Sequence, residues 1–254
     1  MIRFSIITCT YHAAQVVGRT LDSVSAQTYH HVEHLIIDGA SKDGTMQLVR
    51  NYQQESASEE SSHEVVVVSE PDSGLYDAMN KGIRLATGEY ILFLNAGDVF
   101  PSDDTLELIA GSVGDGEELP GVLYGDTDIV DDEGRFLRHR RLAPPQEGLS
   151  WRTFRNGMLV CHQAFYARTD LAKRNHFNLS YRFSADVDWC IRVMKEAERE
   201  GLSLKYVGFV VVNYLDGGLT TKNHRASLKE RFQIMRHHYG LFLTIWKHFT
   251  FLFR

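Results

Sequence analysis

The chain of 254 residues has only three cysteines, Cys9, Cys161 and Cys190, far apart and without a CxxC pair. That pattern suits a reducing compartment better than a disulfide framework or a zinc knuckle. There is no excess of basic charge. The formal net charge is -6, and phosphate backbones select basic surfaces, so no nucleic acid is expected as the main partner. No apolar run approaches the roughly 20 residues needed to span a bilayer. The opening MIRFSIITCT is a short apolar stretch interrupted by Ser5 and Thr8, unlike a secretory signal. A cytoplasmic location follows as the expectation, with the Asn178-Leu179-Ser180 sequon idle. Internal repeats and low-complexity tracts are also missing. So are GxGxxG after the first apolar strand, GxxxxGK[ST], HExxH and GxSxG. Their absence removes the usual sequence support for a dinucleotide dehydrogenase, a P-loop NTPase, a zinc protease and a serine hydrolase.

What is present is a globular composition, 43% hydrophobic and 24% charged, with a clear rhythm in its first hundred residues. FSIIT (4–8), VEHLIID (32–38), VVVVSE (65–70) and YILFL (90–94) are apolar, β-branched runs that predict buried strands. Between them, 13–27, 43–54 and 75–86 carry helical spacing, with Asp43 placed to cap the second helix. Such alternation predicts an α/β fold: a mostly parallel, Rossmann-like sheet flanked by helices. Ligands bind such sheets outside the carboxyl ends of the strands. Those ends are Thr8–Tyr11, Asp38–Asp43, Glu70–Gly74 and Asn95–Asp98, all polar, acidic or glycine-bearing. After residue 100 the rhythm changes. Residues 104–113 predict a helix, 122–141 a hairpin turning at DDEG, 161–169 a strand, 185–200 a helix and 204–215 a further strand or pair.

Three stretches carry a resemblance: FSIITCTYHAA, LIIDGASKDGT and EPDSGLYDAMNKGIRLATGEYILFLNAGD. They resemble the family 2 glycosyltransferases of the GT-A fold. DAMNKGI followed by NAGD is similar to the colanic-acid type of bacterial exopolysaccharide and lipopolysaccharide transferase. The resemblance spans roughly residues 3–220. It implies a GT-A domain over 1–224, with a nucleotide-binding half (1–100) and an acceptor-side half (101–224), followed by a helical tail (225–254). It also implies an inverting transfer from a nucleotide-diphosphate sugar, UDP-sugar favoured, to a lipid-linked or glycan acceptor.

By the same resemblance Thr8, Thr10 and Tyr11 line the base and ribose, Asp38 binds the base, and Ser41 lies in the same loop. Asp72, Gly74, Tyr76, Asp77 and Lys81 surround the start of the third helix, Lys81 offering a cation to the diphosphate. An Asp77–Lys81 surface pair at i and i+4 is the competing reading. The family's acidic DxD-like cluster, which holds a Mn²⁺ or Mg²⁺ ion against the phosphates, is reduced here to Asp98. Asn95 and Gly97 replace its first acids, and Asn95 and Ala96 stay beside the donor. In FSADVDW, Asp186 matches the catalytic base, while Ala185 departs from the acidic partner. Asp188, Trp189, His162 and Gln163 fall on the acceptor side, and LDGGLTTKNH (215–224) resembles a lid over the diphosphate. The tail from Arg225 is basic and apolar. It predicts an interfacial helix on a membrane surface, or one packed on its own domain or on a second copy in a homo-oligomer. Two rivals remain: a catalytically impaired scaffold or regulator, favoured by the lost acids, and a sugar nucleotidyltransferase, disfavoured because CTYHAAQ has no basic, glycine-rich triphosphate loop.

Overall fold

The computed structural model describes residues 1–57, 63–114, 118–217 and 223–251. The strands β1 (Phe4–Thr10), β2 (Val32–Asp38), β3 (Glu64–Ser69) and β4 (Tyr90–Phe93) alternate with helices α1 (Val17–Ser25), α2 (Thr45–Ser56) and α3 (Leu75–Leu85). Every residue of β1, β2 and β4 is buried. This is why they read as continuous apolar runs: helices cover both faces of the sheet. β1 pairs in parallel with β2 and β4, and β2 with β3. The four carboxyl ends therefore open on one edge of the sheet.

The second half breaks the parallel rhythm and contains the hairpin expected over 122–141. After α4 (Thr105–Val113) come the hairpin β5 (Val122–Val130) and β6 (Phe136–His139), then β7 (Phe165–Arg168), α5 (Thr169–Arg174), α6 (Ala185–Arg199) and β8 (Leu204–Leu215). β7 inserts between β4 and β5 and runs antiparallel to both. β8 runs parallel to β5. The sheet is thus parallel where helical crossovers connect its strands and mixed where hairpins and loops do. One apolar cluster reaches from Phe4 and Ile6 through Phe93, Phe165 and Trp189 to Ile234, so both halves share a core.

The tail forms two helices, α7 (His224–Tyr239) and α8 (Leu241–Phe251), broken at Gly240 with φ +81°. α7 buries Ile234 and Met235 and packs on α6. α8 leaves Phe242, Ile245, Trp246 and Phe249 exposed, at the i, i+3, i+4, i+7 spacing of one helical face. Among the described residues no helix is long and apolar enough to cross a membrane.

Candidate active site

Two cavities meet at the carboxyl edge of the sheet. The first, about 930 Å³, is lined by Thr10, Tyr11, Gly39, Asp72, Gly74 and Ala96, a size suited to a nucleotide-like ligand. Asp38 does not line it; it braces the wall. Its carboxylate accepts from Thr10 Oγ1 (2.9 Å), Ser41 N (2.9 Å), Ser41 Oγ (2.6 Å) and Ser69 Oγ (2.7 Å). Burial pushes the Asp38 carboxyl up, but these hydrogen bonds outweigh burial and hold it below the ordinary carboxylate range. Ser41 Oγ accepts in turn from His12 N (2.9 Å), tying the β1 loop to the β2 loop. Tyr11 is exposed at the mouth, its ring stacked 4.2 Å from that of His12. A Cβ on Gly39 would meet Asp72 Oδ2 at 2.6 Å, so glycine is what lets these two loops approach. Thr8 lies beneath the cavity, fully buried, donating to Leu94 O (2.7 Å) and paired with His34 Nε2 (2.9 Å).

At the start of α3, Gly74 takes φ +127° and its N–H donates to Asp72 Oδ1 (2.8 Å). Asp77 is partly exposed and accepts from Ser73 N (3.0 Å) and Ser73 Oγ (3.1 Å), tying the first turn of α3 to the loop before it. Lys81 turns to Glu70 (2.9 Å) and to Pro71 O (2.9 Å) rather than to Asp77 or the cavities. It anchors α3 to the preceding loop. Tyr76 points the other way, into the second cavity.

That cavity, about 470 Å³, holds Tyr76, Asn95, His162, Gln163 and Asp186. Asp186 sits in the first turn of α6, where the helix dipole favours a carboxylate. Its Oδ1 accepts from Tyr76 OH (3.2 Å) and Val187 N (3.0 Å), and His162 Nδ1 donates to its Oδ2 (3.3 Å). With His162 protonated on Nδ1, its Nε2 accepts from Asn95 Nδ2 (3.2 Å). Burial pushes the Asp186 carboxyl up, but His162, the Arg231 charge and the Val187 amide outweigh it. The group lies below its ordinary value and is ionised at neutral pH. Asn95 Oδ1 is buried here with no hydrogen-bond partner, an acceptor awaiting a donor such as a sugar hydroxyl.

The small residues after β4 now have a geometric reason. Gly97 adopts φ +103°, and a Cβ there would meet Leu215 Cδ2 at 2.6 Å. The turn lets Asp98 fold inward. Its Oδ1 accepts from Leu215 N (2.9 Å) and its Oδ2 from Gln163 Nε2 (3.2 Å), so this pair clamps the β4 end to β8 beneath the cleft. Burial outweighs those bonds and raises the Asp98 carboxyl from 3.8 to about 6. A raised carboxyl favours the folded state at low pH, and that advantage is lost as pH rises through the folded value. Asp98→Asn is therefore expected to flatten the pH dependence of stability between 4 and 6. Urea unfolding at several pH values measures this.

Among the described residues no three His, Cys, Asp or Glu side chains converge, and each oxygen of Asp98 already accepts one hydrogen bond, so a divalent ion at Asp98 would need phosphate oxygens and waters to complete its shell. EDTA is accordingly expected to leave the melting temperature of the ligand-free protein unchanged. Gly218–Lys222, the centre of the expected lid, lie outside the described residues.

Two acceptor-side expectations find other surroundings. Asp188 is buried against the tail, accepting from His238 Nε2 (2.8 Å) and Arg192 Nε (2.8 Å). Trp189 is fully buried, stacked on Phe177 (4.9 Å) and edge-on to Phe93 and Phe165. It fills the core and stacks on no ligand. Sequence reasoning missed the arginines of the second cavity and Glu230. Glu230, on α7, accepts from the backbone N–H groups of Arg182 (2.8 Å), Phe183 (2.8 Å) and Ser184 (2.9 Å), the loop that delivers Asp186. The RHRR run at 138–141 was a legible signal for the arginines. Nothing local marks Glu230.

A parallel βαβ half with a nucleotide-sized cleft, joined to a mixed half that presents an ionised carboxylate, is the architecture of a GT-A glycosyltransferase. The chain belongs to glycosyl transferase family 2, whose model matches residues 5–174. It is 33% identical over 223 residues to the PGL/p-HBAD biosynthesis glycosyltransferase of Mycobacterium bovis, covering 85% of this chain and 78% of that protein. It is 29% identical over 221 residues to the amylovoran biosynthesis glycosyltransferase AmsB of Erwinia amylovora, covering 84% and 69%. In fold it is similar to S. aureus TarS 1–349 in complex with UDP, with a TM-score of 0.69 at 17% identity. That match covers 97% of this chain, which spans 65% of that one. The mannosyltransferase PcManGT of Pyrobaculum calidifontis, solved with GDP-Man and Mn²⁺, aligns with a TM-score of 0.64 at 19% identity, covering 93% and 64%.

Proposed function

We propose that this chain is an inverting glycosyltransferase. It moves one sugar from a nucleotide-diphosphate sugar to a lipid-linked or polysaccharide acceptor in bacterial cell-surface glycan biosynthesis. The observation that carries this reading is the ionised Asp186, held by Tyr76, His162 and Val187 at the meeting of the two cavities. The nucleotide and diphosphate occupy the Thr10–Tyr11–Asp72–Gly74 cavity, which brings the anomeric carbon past Ala96 toward Asn95. Asp186 takes the proton of the acceptor hydroxyl as its oxygen attacks from the face opposite the leaving diphosphate. One displacement inverts the anomeric centre. A Mn²⁺ or Mg²⁺ ion would be held chiefly by the donor diphosphate beside Asp98 and would neutralise charge on the leaving group. The relatives named for PGL/p-HBAD and amylovoran biosynthesis support the glycan acceptor, and a UDP-bound fold neighbour supports UDP-sugar as donor.

Thermal melting across UDP-, GDP- and dTDP-sugars, each with Mn²⁺, Mg²⁺ or EDTA, tests the donor site, because a ligand of the folded state raises the melting temperature. Stabilisation by at least one of them is expected. No shift at millimolar concentration of any of them sinks the reading and favours a scaffold. Product anomeric configuration by NMR tests inversion.

The tail gives the enzyme its place. Phe242 is 90% exposed and Trp246 63%, and no acid follows Glu230 in a chain of net charge -6. An apolar helical face in acid-free, basic surroundings suits an anionic bilayer surface. Co-sedimentation with phosphatidylglycerol vesicles is expected, with Phe242→Asp/Trp246→Asp lowering the bound fraction by about tenfold. Binding unaffected by this double substitution contradicts the assignment.

A further inference from the structure

Two consecutive side chains on the short turn His162–Ala164 hold the two ends of the segment that follows β4. Gln163 Nε2 donates to Asp98 Oδ2 (3.2 Å), and His162 Nε2 faces Asn95 Nδ2 (3.2 Å). His162 also reaches Asp186 Oδ2 through Nδ1 (3.3 Å). We propose that His162 is a positioning residue. It turns the Asn95 carboxamide oxygen to the transferred sugar, so that the site selects a donor sugar with a free hydroxyl where that oxygen meets it.

The inference rests on the transferase reading and adds the residue that orients its sugar contact. The Asp186 carboxylate sets the direction of the whole chain. An ionised carboxylate only accepts, so it requires a proton on His162 Nδ1. A neutral imidazole then keeps a lone pair on Nε2. That lone pair accepts from Asn95 Nδ2 and has nothing to offer Asn95 Oδ1. The oxygen stays buried without a hydrogen-bond partner, which is costly unless a ligand supplies the donor. Each link is held by the protein itself. Asp186 Oδ1 accepts from Tyr76 OH and Val187 N, and the His162 ring is largely buried, edge-on to Phe93 with centroids 6.3 Å apart.

Position makes the free oxygen a sugar contact. Asn95 lines the cavity of Asp186, and its neighbour Ala96 lines the nucleotide cavity. Asn95 therefore stands where the sugar lies between diphosphate and base. A site arranged to hydrogen-bond a substrate hydroxyl rejects an analogue lacking it, because its own polar atom is then left unpaired. One chain of hydrogen bonds thus links the ionised base to recognition of the sugar.

The first measurement needs no sugar. Long-range proton–nitrogen NMR, above the ordinary histidine titration range, reads the tautomer of each ring. The His162 signal is the one lost in His162→Gln. The wild-type ring is expected to carry its proton on Nδ1. In Asp186→Asn, whose amide NH2 faces the ring, the proton is expected to move to Nε2. A wild-type proton on Nε2, or one that stays on Nδ1 in Asp186→Asn, overturns the inference. Calorimetry then ranks UDP-glucose, UDP-N-acetylglucosamine, GDP-mannose and dTDP-glucose, followed by monodeoxy analogues of the tightest, one hydroxyl removed at a time. One analogue is expected to bind at least about tenfold more weakly than its parent. That difference is expected to shrink to about twofold in His162→Ala and in Asn95→Ala. It returns in part in His162→Gln, whose Oε1 can accept from Asn95 Nδ2. Affinity for UDP alone is expected to stay within about twofold in every variant. Analogues that all bind like the parent, or a discrimination untouched by His162→Ala, overturn the inference while the transferase reading stands. Failure of every nucleotide sugar to bind overturns both.

Discussion

Asp186→Asn is expected to lower kcat by about a thousandfold while the affinity for the donor nucleotide changes less than about twofold. The amide keeps an oxygen for Tyr76 OH and Val187 N, the two donors at Asp186 Oδ1, so the cavity retains its shape. What disappears is the basic oxygen. Steady-state kinetics with nucleotide release as readout, alongside calorimetric donor binding, separates the two effects. A variant retaining more than a tenth of wild-type kcat would remove Asp186 from the chemistry. The pH profile gives a second check. Because the carboxyl lies below its ordinary value, kcat/KM is expected to stay level through the weakly acidic range and to fall only when pH drops through the depressed value. The same sign governs stability. The contribution of this ion is present above the unfolded-state value and lost as pH falls through the folded one, and Asp186→Asn lacks it.

Glu230→Ala is expected to cost about 3 kcal/mol of stability, roughly 9 °C in Tm for a chain of this size. The substitution strips a charged acceptor from three consecutive backbone amides at Arg182, Phe183 and Ser184. Glu230 touches no reacting atom; it is a positioning residue, fixing the loop from which Asp186 projects. The expected kinetic signature is a fall in kcat of at least tenfold with donor KM little changed. Glu230→Gln, which keeps one amide oxygen, restores part of both. Loss of stability without loss of kcat would make Glu230 structural only. Ser184 Oγ and Ser227 Oγ, 2.9 Å apart, reinforce the same junction, as does the Asp188–His238 pair at 2.8 Å. The tail thus has two parts in two helices: α7 secures the loop that carries Asp186, and α8 offers an apolar face.

Local pattern determined a good part of this protein. β2 begins and ends at the residues where its apolar run does, Val32 and Asp38. α3 begins at Leu75, where the pattern starts. These elements are legible because burial on both faces, helical spacing and glycine punctuation act within a few residues. The same holds for the strand ends that form the clefts, and for Asp186, whose motif sits at a helix start. Tertiary structure alone decided where polar side chains spend their charge. Asp98 and Lys81 stand where a ligand role was expected, yet Asp98 turns to Leu215 N and Gln163, and Lys81 to Glu70 and Pro71. Asp188 reaches 50 residues forward to His238. The sequence shows the arginines of 138–141, but not that a hairpin brings them to the same cavity as Arg182 and Arg231. A hydrogen bond or ion pair is fixed by which elements pack together, and that is set by the whole core rather than by neighbours in the chain. Sequence specifies the elements and the acid at the helix start; only packing chooses its partners.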